Sequence, residues 1–581
     1  MFDVVPPFVF VLVAAAVAAV APRRIAHAVG IAGTGLAAVA SVLASPGVHL
    51  TARLFGFETI LYNVDPFSSL MGLIFGFIGV VAVTYSYFSD ADSVQTAYAL
   101  SYVGTSVGAV FAGDWLTLVF FWELMAITST LLVWHYGGRA VRAGFRYALL
   151  HGLGGSLVLA AVVWQYVRVG SFLFTEATGI VGTLPAVLAA VGIGVNVGFI
   201  GLHAWLPDTY PRPHVAASVF LCVYTTKTGV YAMYRAFPEG HLWIAYMGGA
   251  MAVFGAFVAL LQHDMRRLLS YHIQSQVGYM VAGVGIGGAL ATAGAFGHVF
   301  NHILYKSLLF MTVGVVIYRT GQENLKKVGG LARPMPVTAG AFTIAALSIA
   351  GFPGFNGFVS KGMVIGAAHH EHLDALWWLL LLGGVGTFLS FIKLGYHAFF
   401  HGSYAGEVRD ANRGQQVALV TVAGLCVAYG VYPDALFAIL PNAGGLDYRT
   451  FTLDHVAEGL ALAAIAAVAF VFLKDALGRI GHVPDVDSAY NPAIFYATRA
   501  LVRGVTETYA AVDRFVVRSA AAVTGAVARP ERVVARAGGY AGSDVDLAES
   551  GPGSLRPGVG TGVLLLVLVA AGLVALALLV G

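Results

Sequence analysis

Long apolar runs separated by short polar loops fill most of the chain. A bilayer core of about 30 Å needs about 20 apolar residues in a helix. By that measure the sequence predicts sixteen membrane-spanning helices, the first near residues 8–21 and the last near 562–580. The pattern therefore predicts an all-α polytopic membrane protein.

Two of the apolar runs contain residues that interrupt a helix. The run 183–205 ends in GLHAWLPD (201–208), and the run 336–370 contains GFPGFNGF (351–358). Gly and Pro open the helical hydrogen-bond ladder, which at membrane depth is tolerated only where protein or water satisfies the freed groups. Broken helices in two halves of one chain are typical of a transport pathway.

The stretch from 482 to 557 has a different pattern. Ile494, Leu501 and Val505 alternate with Arg499 and Arg503 at spacings that place the two sets on opposite faces of a helix. This predicts an amphipathic helix on the membrane surface or against other spans. A soluble linker helix before the final span is the alternative.

Composition narrows the class of protein further. Only 10% of the residues are charged, against about 25% in soluble domains, and 58% are hydrophobic. The net charge of +3 gives no reason to expect a nucleic-acid partner. Basic residues follow the odd-numbered spans, so the positive-inside rule predicts a plasma-membrane protein with an external N-terminus.

No sequence feature indicates a cofactor or a catalytic reaction. Cys222 and Cys426 lie in apolar runs without metal-ligand spacing, and neither haem nor nucleotide motifs occur. We therefore expect no cofactor, no metal and no catalytic chemistry of the chain's own, apart from a translocase role within a larger assembly.

Several ionisable residues interrupt the apolar runs. Each costs about 2.5–3.5 kcal/mol at the bilayer centre, and such residues usually mark ion paths or proton relays. His298, His302 and Lys306 follow each other at intervals of four, which places them on one helix face. The candidates for a proton or ion pathway are Glu123, Lys227, His298, His302, Lys306 and Lys361, with Asn196 and Lys393 as further candidates.

Each candidate has a simpler explanation. A lysine near the end of a span, such as Lys393, can snorkel to the interface, and a buried histidine can serve packing alone. His298 and His302 could pair on a metal, but no third ligand is evident and Lys306 on the same face disfavours a cation. Taken together, the residues instead suggest a relay, because burial brings lysines and glutamates closer to titration at neutral pH.

The motifs around these residues resemble a known family. NVDPFSSLM, DWLTLVFFWELMAITS, GLHAWLPDTYPRPHVAAS, DMRRLLSYHIQSQVGYM, GHVFNHILYKSLLFMTVG and PGFNGFVSK follow one another within roughly residues 60–440. They resemble the antiporter-like membrane subunits shared by Mrp-type multisubunit Na⁺/H⁺ antiporters and by respiratory complex I. Within this family, the chain resembles the Mrp D subunit.

The resemblance implies a fold and a set of roles. It implies about 14 core helices in two inverted repeats, each contributing a half-channel. Glu123 matches the family's fifth-helix glutamate and Lys227 its eighth-helix lysine. His302 and Lys306 match the central relay, and Lys361 the lysine of the broken twelfth helix.

The corresponding organisation divides the chain into four parts. Residues 1–95 form N-terminal helices, 96–262 and 263–440 the first and second repeats, and 441–581 a C-terminal extension. That extension, with its amphipathic helix and extra spans, resembles the end of the largest antiporter-like subunit of complex I.

One departure from the family concerns the first half-channel. Where the family usually has a lysine in the broken seventh helix, this chain has Asn196, so Glu123 would lack its usual partner and face Lys227 instead. A smaller departure is Arg266 where lysine is common.

Three functions follow as expectations. The first is an ion-translocating subunit, for H⁺ or Na⁺, of a multisubunit cation/proton antiporter. The second is a proton-pumping subunit of NADH-quinone oxidoreductase or a membrane-bound hydrogenase. The third, which Asn196 favours, is a non-transporting scaffold for an ion or inorganic-carbon uptake complex. In each case the expected partners are other membrane subunits, lipid and, for the first two, ions.

Overall fold

The computed structural model describes residues 2–174, 179–446, 448–481 and 483–528. Its first part consists of α1 (Pro7–Val20), α2 (Arg23–Leu43), β1 (Gly47–Leu54), β2 (Phe57–Val64), α3 (Pro66–Tyr87), α4 (Ser93–Phe111), α5 (Trp115–Trp134), α6 (Arg139–Val169), α7 (Thr183–Val197), α8 (Trp205–Thr209), α9 (Val215–Leu221) and α10 (Tyr224–Ala236). The predicted last span, 562–580, lies outside the described residues.

The remaining elements are again almost all helices. They are α11 (Leu242–Leu260), α12 (Met265–Ile286), α13 (Gly288–Thr320), α14 (Pro336–Ala350), α15 (Asn356–His370), α16 (Asp374–Gly395) with a π turn (Tyr396–Phe400), α17 (Arg413–Val431), α18 (Asp434–Phe437), α19 (Leu453–Arg479) and α20 (Asp487–Ala528).

The helices have the length and composition of membrane spans. Within the described ranges nine are long and apolar enough to cross a bilayer, and α1, α7 and α14 are shorter apolar helices. The polytopic helical fold is therefore confirmed.

Both predicted helix breaks are present. Helix α7 ends at Gly198 and α14 at Gly351, and both glycines have the left-handed backbone (φ 78° and 84°) that terminates a helix. The chain resumes as a helix at Trp205 in the first case and at Asn356 in the second. Each break leaves backbone carbonyls free for other groups.

A third break, which was not predicted, interrupts one of the sixteen predicted spans, near residues 214–236. Helix α9 ends at Leu221 and α10 begins at Tyr224, although neither Gly nor Pro lies between them. Lys227 reaches back from α10, and its Nζ donates to the carbonyl of Cys222 at 2.6 Å. This ammonium therefore satisfies a carbonyl that the interruption frees.

The β1–β2 hairpin is an exception to the all-α prediction. Its strands pair antiparallel from Gly47–Val64 to Leu54–Phe57. Asp114, which caps α5, also accepts from the backbone N–H of Ile60 at 2.6 Å. The hairpin is thus attached to the start of the helix that contains Glu123.

Helix α13 lies at the centre of the bundle. Every residue of its most apolar 18-residue stretch is buried. It packs against α3, α9, α12, α14, α15 and α17. Polar side chains on α13 are consequently shielded from lipid.

The chain divides into two compact units, residues 1–490 and 491–581. Most of α20 belongs to the second unit, where residues 491–528 are described. It is helical, as predicted, and contains Pro492. Its apolar residues, including Leu501 and Phe515, are exposed. Which surface they contact stays a prediction.

Candidate ion pathway

The three residues predicted on one face of α13 are all buried. Nδ1 of His298 lies 2.9 Å from the hydroxyl of Ser360 on α15, and its Nε2 lies 3.1 Å from the hydroxyl of Tyr305. His302, one turn further, has both ring nitrogens buried and without a hydrogen-bond partner among the described residues. An unpaired buried polar group is costly, which favours a site where water or a proton is exchanged.

His302 is also close enough to three lysines to be affected by their charge. It lies within electrostatic range of Lys227, Lys306 and Lys361, which come from three different helices. Lys306 Nζ donates to the carbonyl of Leu269 on α12 at 3.1 Å. The fold therefore brings together lysines that are up to 134 positions apart in the sequence, from 227 to 361.

Lys361 lies directly after the second helix break. Its Nζ donates to the carbonyl of Ile349, near the end of α14, at 2.7 Å. The same Nζ is 4.7 Å from the ring centroid of Tyr279 on α12, a cation–π contact. The lysine is thus held by a carbonyl near the break and by an aromatic face.

Lys227 has equivalent surroundings at the third break. Besides the Cys222 carbonyl, its Nζ contacts the hydroxyl of Thr226 at 3.0 Å. The hydroxyl of the neighbouring Thr225 lies 2.6 Å from that of Tyr102 and 3.1 Å from that of Tyr147. This buried hydroxyl network was not predicted from the sequence, because isolated Thr and Tyr residues in apolar helices usually serve packing.

Glu123 stands apart from these residues. It is half-buried on α5, and among the described residues it forms no ion pair. Its carboxylate packs against Gly155 of α6, where an added Cβ would meet Oε1 at 1.6 Å. The expected approach of Glu123 to Lys227 is not found as an ion pair.

Asn196, which replaces the family lysine, lies in the last turn of α7. It is fully buried, and within the described part of the chain neither its Oδ1 nor its Nδ2 has a hydrogen-bond partner. Its Cβ lies 3.3 Å from the position of a Cβ added at Gly229 of α10, close to Lys227 in the sequence. A buried amide with both ends unsatisfied fits a position that contacts water within the protein.

Lys393 does not join the group. Its Nζ donates to the carbonyls of Leu260 at 2.7 Å and Gln262 at 2.8 Å, at the end of α11, and the residue is 1% exposed. The ammonium is therefore buried and caps the end of α11.

Sequence reasoning missed His272 on α12. Both of its ring nitrogens are buried, and neither has a hydrogen-bond partner in the part of the chain that the structure describes. Its ring lies 4.7 Å from that of Phe391, and it is within electrostatic range of Lys306 and Lys361. The signal was a run of polar residues, SYHIQSQ, inside a span. Across the described ranges, no three His, Cys, Asp or Glu side chains are grouped as metal ligands.

A buried carboxylate outside the spans binds the first helix break. Asp485, in the loop after α19, accepts from Nε2 of His203 at 3.2 Å and from the hydroxyl of Tyr271. Burial raises the pKa of Asp485, but these hydrogen bonds and the charge of His203 outweigh it and lower the pKa to about 2. The loop is thereby fixed to the segment that follows α7.

The fold and this polar interior define a class, multi-pass membrane proteins with charged residues along the bundle centre. The family model for the transmembrane region of NADH:quinone oxidoreductase and the Mrp antiporter matches residues 112–390. The chain is 32% identical to the D subunit of the Na⁺/H⁺ antiporter of Alkalihalophilus pseudofirmus, over 59% of this chain and 73% of that protein. It is 30% identical to the N subunit of the NADH-quinone oxidoreductase of Desulforudis audaxviator, over 57% and 73%.

Solved structures agree in fold. A chain of an archaeal membrane-bound sulfane sulfur reductase matches with a TM-score of 0.69 and 27% identity, over 82% of this chain and 86% of that chain. A chain of the Mrp complex from Dietzia sp. DQ12-45-1b matches with a TM-score of 0.68 and 20% identity, over 79% and 99%. The protein belongs to the family of antiporter-like membrane subunits shared by Mrp antiporters and NADH:quinone oxidoreductase.

Proposed function

We propose that this chain is the ion-translocating subunit, for H⁺ and/or Na⁺, of a multisubunit cation/proton antiporter, and that it corresponds to the Mrp D subunit. The observation that carries the proposal is His302, buried and unpaired among Lys227, Lys306 and Lys361. Ionisable groups that lie close together in a protein interior can pass a proton from one to the next. The reason is that a proton gained by one group makes a positive charge on its neighbour less favourable.

The roles follow from position. Lys227 and Lys361 each lie beside a helix break and serve the first and second halves. His298, His302 and Lys306 connect them, and Glu123 is the acidic residue of the first half. We assign the repeats to residues 96–262 and 263–440, between the N-terminal helices 1–95 and the extension 441–581.

Orientation belongs to the same proposal. Basic residues lie at the beginnings of α2, α6 and α12 and in the loop that follows α13. We place this face in the cytoplasm, the N-terminus outside, and the protein in the plasma membrane.

The second candidate is a proton-pumping subunit of an NADH-quinone oxidoreductase or membrane-bound hydrogenase. The oxidoreductase relative from Desulforudis audaxviator and the archaeal respiratory complex support it. A non-transporting scaffold is the third, because Asn196 leaves the first half without the family's lysine. The proteins that co-purify with the chain separate the three.

The direct test uses membrane vesicles that contain the whole complex. Replacing Lys361 or Glu123 by Ala should abolish Na⁺-dependent dissipation of a pH gradient, while Lys326→Ala, in an exposed loop, should leave it unchanged. If both Lys361→Ala and Glu123→Ala retain the wild-type rate in assembled complexes, the relay is wrong.

A further inference from the structure

Helix α19 places titratable groups beside the second helix break. A Cβ added at Gly362, the residue after Lys361, would stand 2.3 Å from Nε2 of His455 and 2.5 Å from the hydroxyl of Tyr448. The two polar atoms are therefore within about 5 Å of each other and press against the backbone of α15. Only a residue without a side chain leaves room for them there.

The hydrogen bonding of His455 determines which nitrogen is available. Its Nδ1 lies 2.7 Å from the carbonyl of Thr450, and a carbonyl can only accept, so Nδ1 carries the hydrogen. The ring is stacked on Phe358, with centroids 3.9 Å apart and planes 11° apart, which fixes its orientation. The neutral ring thus presents the lone pair of Nε2 to the space beside Gly362.

Two further groups complete the site. The hydroxyl of Tyr448 is buried and has no hydrogen-bond partner among the residues that the structure describes. Glu458 lies one turn along α19 from His455, is half-buried, and is within electrostatic range of Tyr448, Tyr279 and His369. Tyr279 is also the residue whose ring contacts the ammonium of Lys361.

We propose that Tyr448, His455 and Glu458, here called the α19 cluster, form the terminal proton-transfer site of the second half, between Lys361 and the membrane face opposite the basic loops. The inference rests on the proposed function. In the outward direction the N–H bond of the Lys361 ammonium breaks and an N–H bond forms at Nε2 of His455, with Tyr448 or water between them. The Nε2–H bond of the His455 imidazolium then breaks as an O–H bond forms on the Glu458 carboxylate, and that O–H bond breaks in turn when the proton passes to the aqueous phase.

The position of the cluster supports a terminal role. Helix α15 runs from the break near Lys361 to His370, away from the basic loop that precedes α14. The ring of Tyr448 would also meet a Cβ added at Gly366, one turn beyond Gly362 towards His370, at 3.8 Å. Helix α16, which packs along α19, contributes apolar side chains such as Leu380 and Leu381 near Leu462. His455 and Glu458 are therefore the titratable groups that α19 supplies to this route. Both lie beyond the matched family region, 112–390.

The test is transport by the intact complex in vesicles, measured across a range of pH on the face opposite the basic loops. Glu458→Gln and His455→Gln should each lower the rate roughly 100-fold, as expected for loss of a positioned proton-transfer group, and should change the pH profile. Glu458→Asp should restore most of the rate. Asp454→Asn, an exposed carboxylate on the same helix, is the matched control.

The outcomes separate the two proposals. If Glu458→Gln and His455→Gln both assemble and keep the wild-type rate and pH profile while Lys361→Ala abolishes transport, the α19 cluster is not part of the route and the proposed function stands. If Lys361→Ala also keeps the rate, the proposed function itself fails. Should Glu458→Gln not assemble, His455→Gln, which can still donate to Thr450, decides the question.

Discussion

At residue 155 of α6 the lack of a side chain makes room for the carboxylate of Glu123. A Cβ there would overlap Oε1, whereas a Cβ at Gly152, one turn earlier on the same helix, would meet nothing within 4 Å. The two glycines therefore provide a matched pair for testing where the carboxylate must lie.

We expect Gly155→Ala to displace the Glu123 carboxylate and to reduce ion transport as Glu123→Gln does, with the complex still assembled. Gly152→Ala should have no effect. Transport rate per assembled complex, measured in vesicles, is the appropriate quantity. Equal rates for both alanine variants would show that the position of the carboxylate is not critical.

Asn196 leads to a prediction of increased rather than reduced transport. Its buried amide is unsatisfied, so Asn196→Lys should be tolerated and should raise proton conduction by restoring a group that binds and releases a proton. The gain should depend on Glu123 and disappear in the Asn196→Lys, Glu123→Gln double variant. A complex that fails to assemble with lysine at 196 would contradict this expectation.

At the scale of the element, Lys393 has a structural role. Its ammonium caps the end of α11 from α16 through two carbonyls. A hydrogen bond to a charged group contributes about 1.5–3 kcal/mol, and its loss leaves buried carbonyls unpaired.

Lys393→Met should therefore lower the thermal stability of the purified complex, with a loss of about 1.5–3 kcal/mol, and leave transport per folded complex near the wild-type value. Lys326→Met, on an exposed loop, is the control for charge removal. If Lys393→Met instead lost as much transport as Lys361→Ala while its stability was unchanged, Lys393 would belong to the pathway.

Elements whose cause is local in the sequence were predicted well. Gly198 and Gly351 lie within or beside motifs rich in Gly and Pro, so both breaks were visible in the sequence. The break before Lys227 has neither Gly nor Pro to mark it, and the carbonyl that it frees is bound by the Lys227 side chain five positions later. The β-hairpin was hidden because its strands are short and follow directly on apolar helices.

The candidate site divides in the same way. His298, His302, Lys306 and Lys361 were identifiable because charge is rare in these spans. His272 and the hydroxyls of Tyr102 and Tyr147 can be recognised as candidates only when their neighbours in the fold are known. Asp485 lies in a loop, where a carboxylate is ordinary and does not indicate a function. Its role depends on contacts with residues that are at least 214 positions away in the sequence.

At the scale of the whole molecule, Asp485 links the C-terminal loop to the first helix break. A carboxylate whose pKa is depressed on folding stabilises the folded state above its unfolded pKa, near 3.8, and that stability is lost as the pH falls towards the folded pKa of about 2. The contribution amounts to about 2 kcal/mol.

Stability of the solubilised complex, followed by thermal unfolding, should accordingly fall between about pH 4 and pH 2 more steeply in the wild type than in Asp485→Asn. At neutral pH the variant should be less stable. Asp475→Asn, exposed on α19, should follow the wild type at every pH. Identical curves for all three proteins would show that the link carries no stability.

Membership of a family of multisubunit complexes leads to a prediction about assembly, as does Glu123, which forms no ion pair among the described residues. Purified in mild detergent, the chain should remain with other membrane proteins of its complex. Small Mrp-type proteins would support the antiporter, components of a quinone oxidoreductase the second candidate, and a large soluble zinc protein the scaffold. A chain that purifies alone, and is active alone, would contradict the multisubunit proposal.

The burial of α13 has a consequence for how the protein is made. Its residues include His298, Asn301, His302 and Lys306, and each lowers the tendency of a helix to partition into lipid. In the finished bundle these side chains never meet lipid, but during synthesis the segment leaves the ribosome before α14, α15 and α17 exist. Its insertion into the membrane should therefore depend on the spans already in place. The first defect caused by truncating or replacing α3, α9 or α12 should be failed insertion of α13.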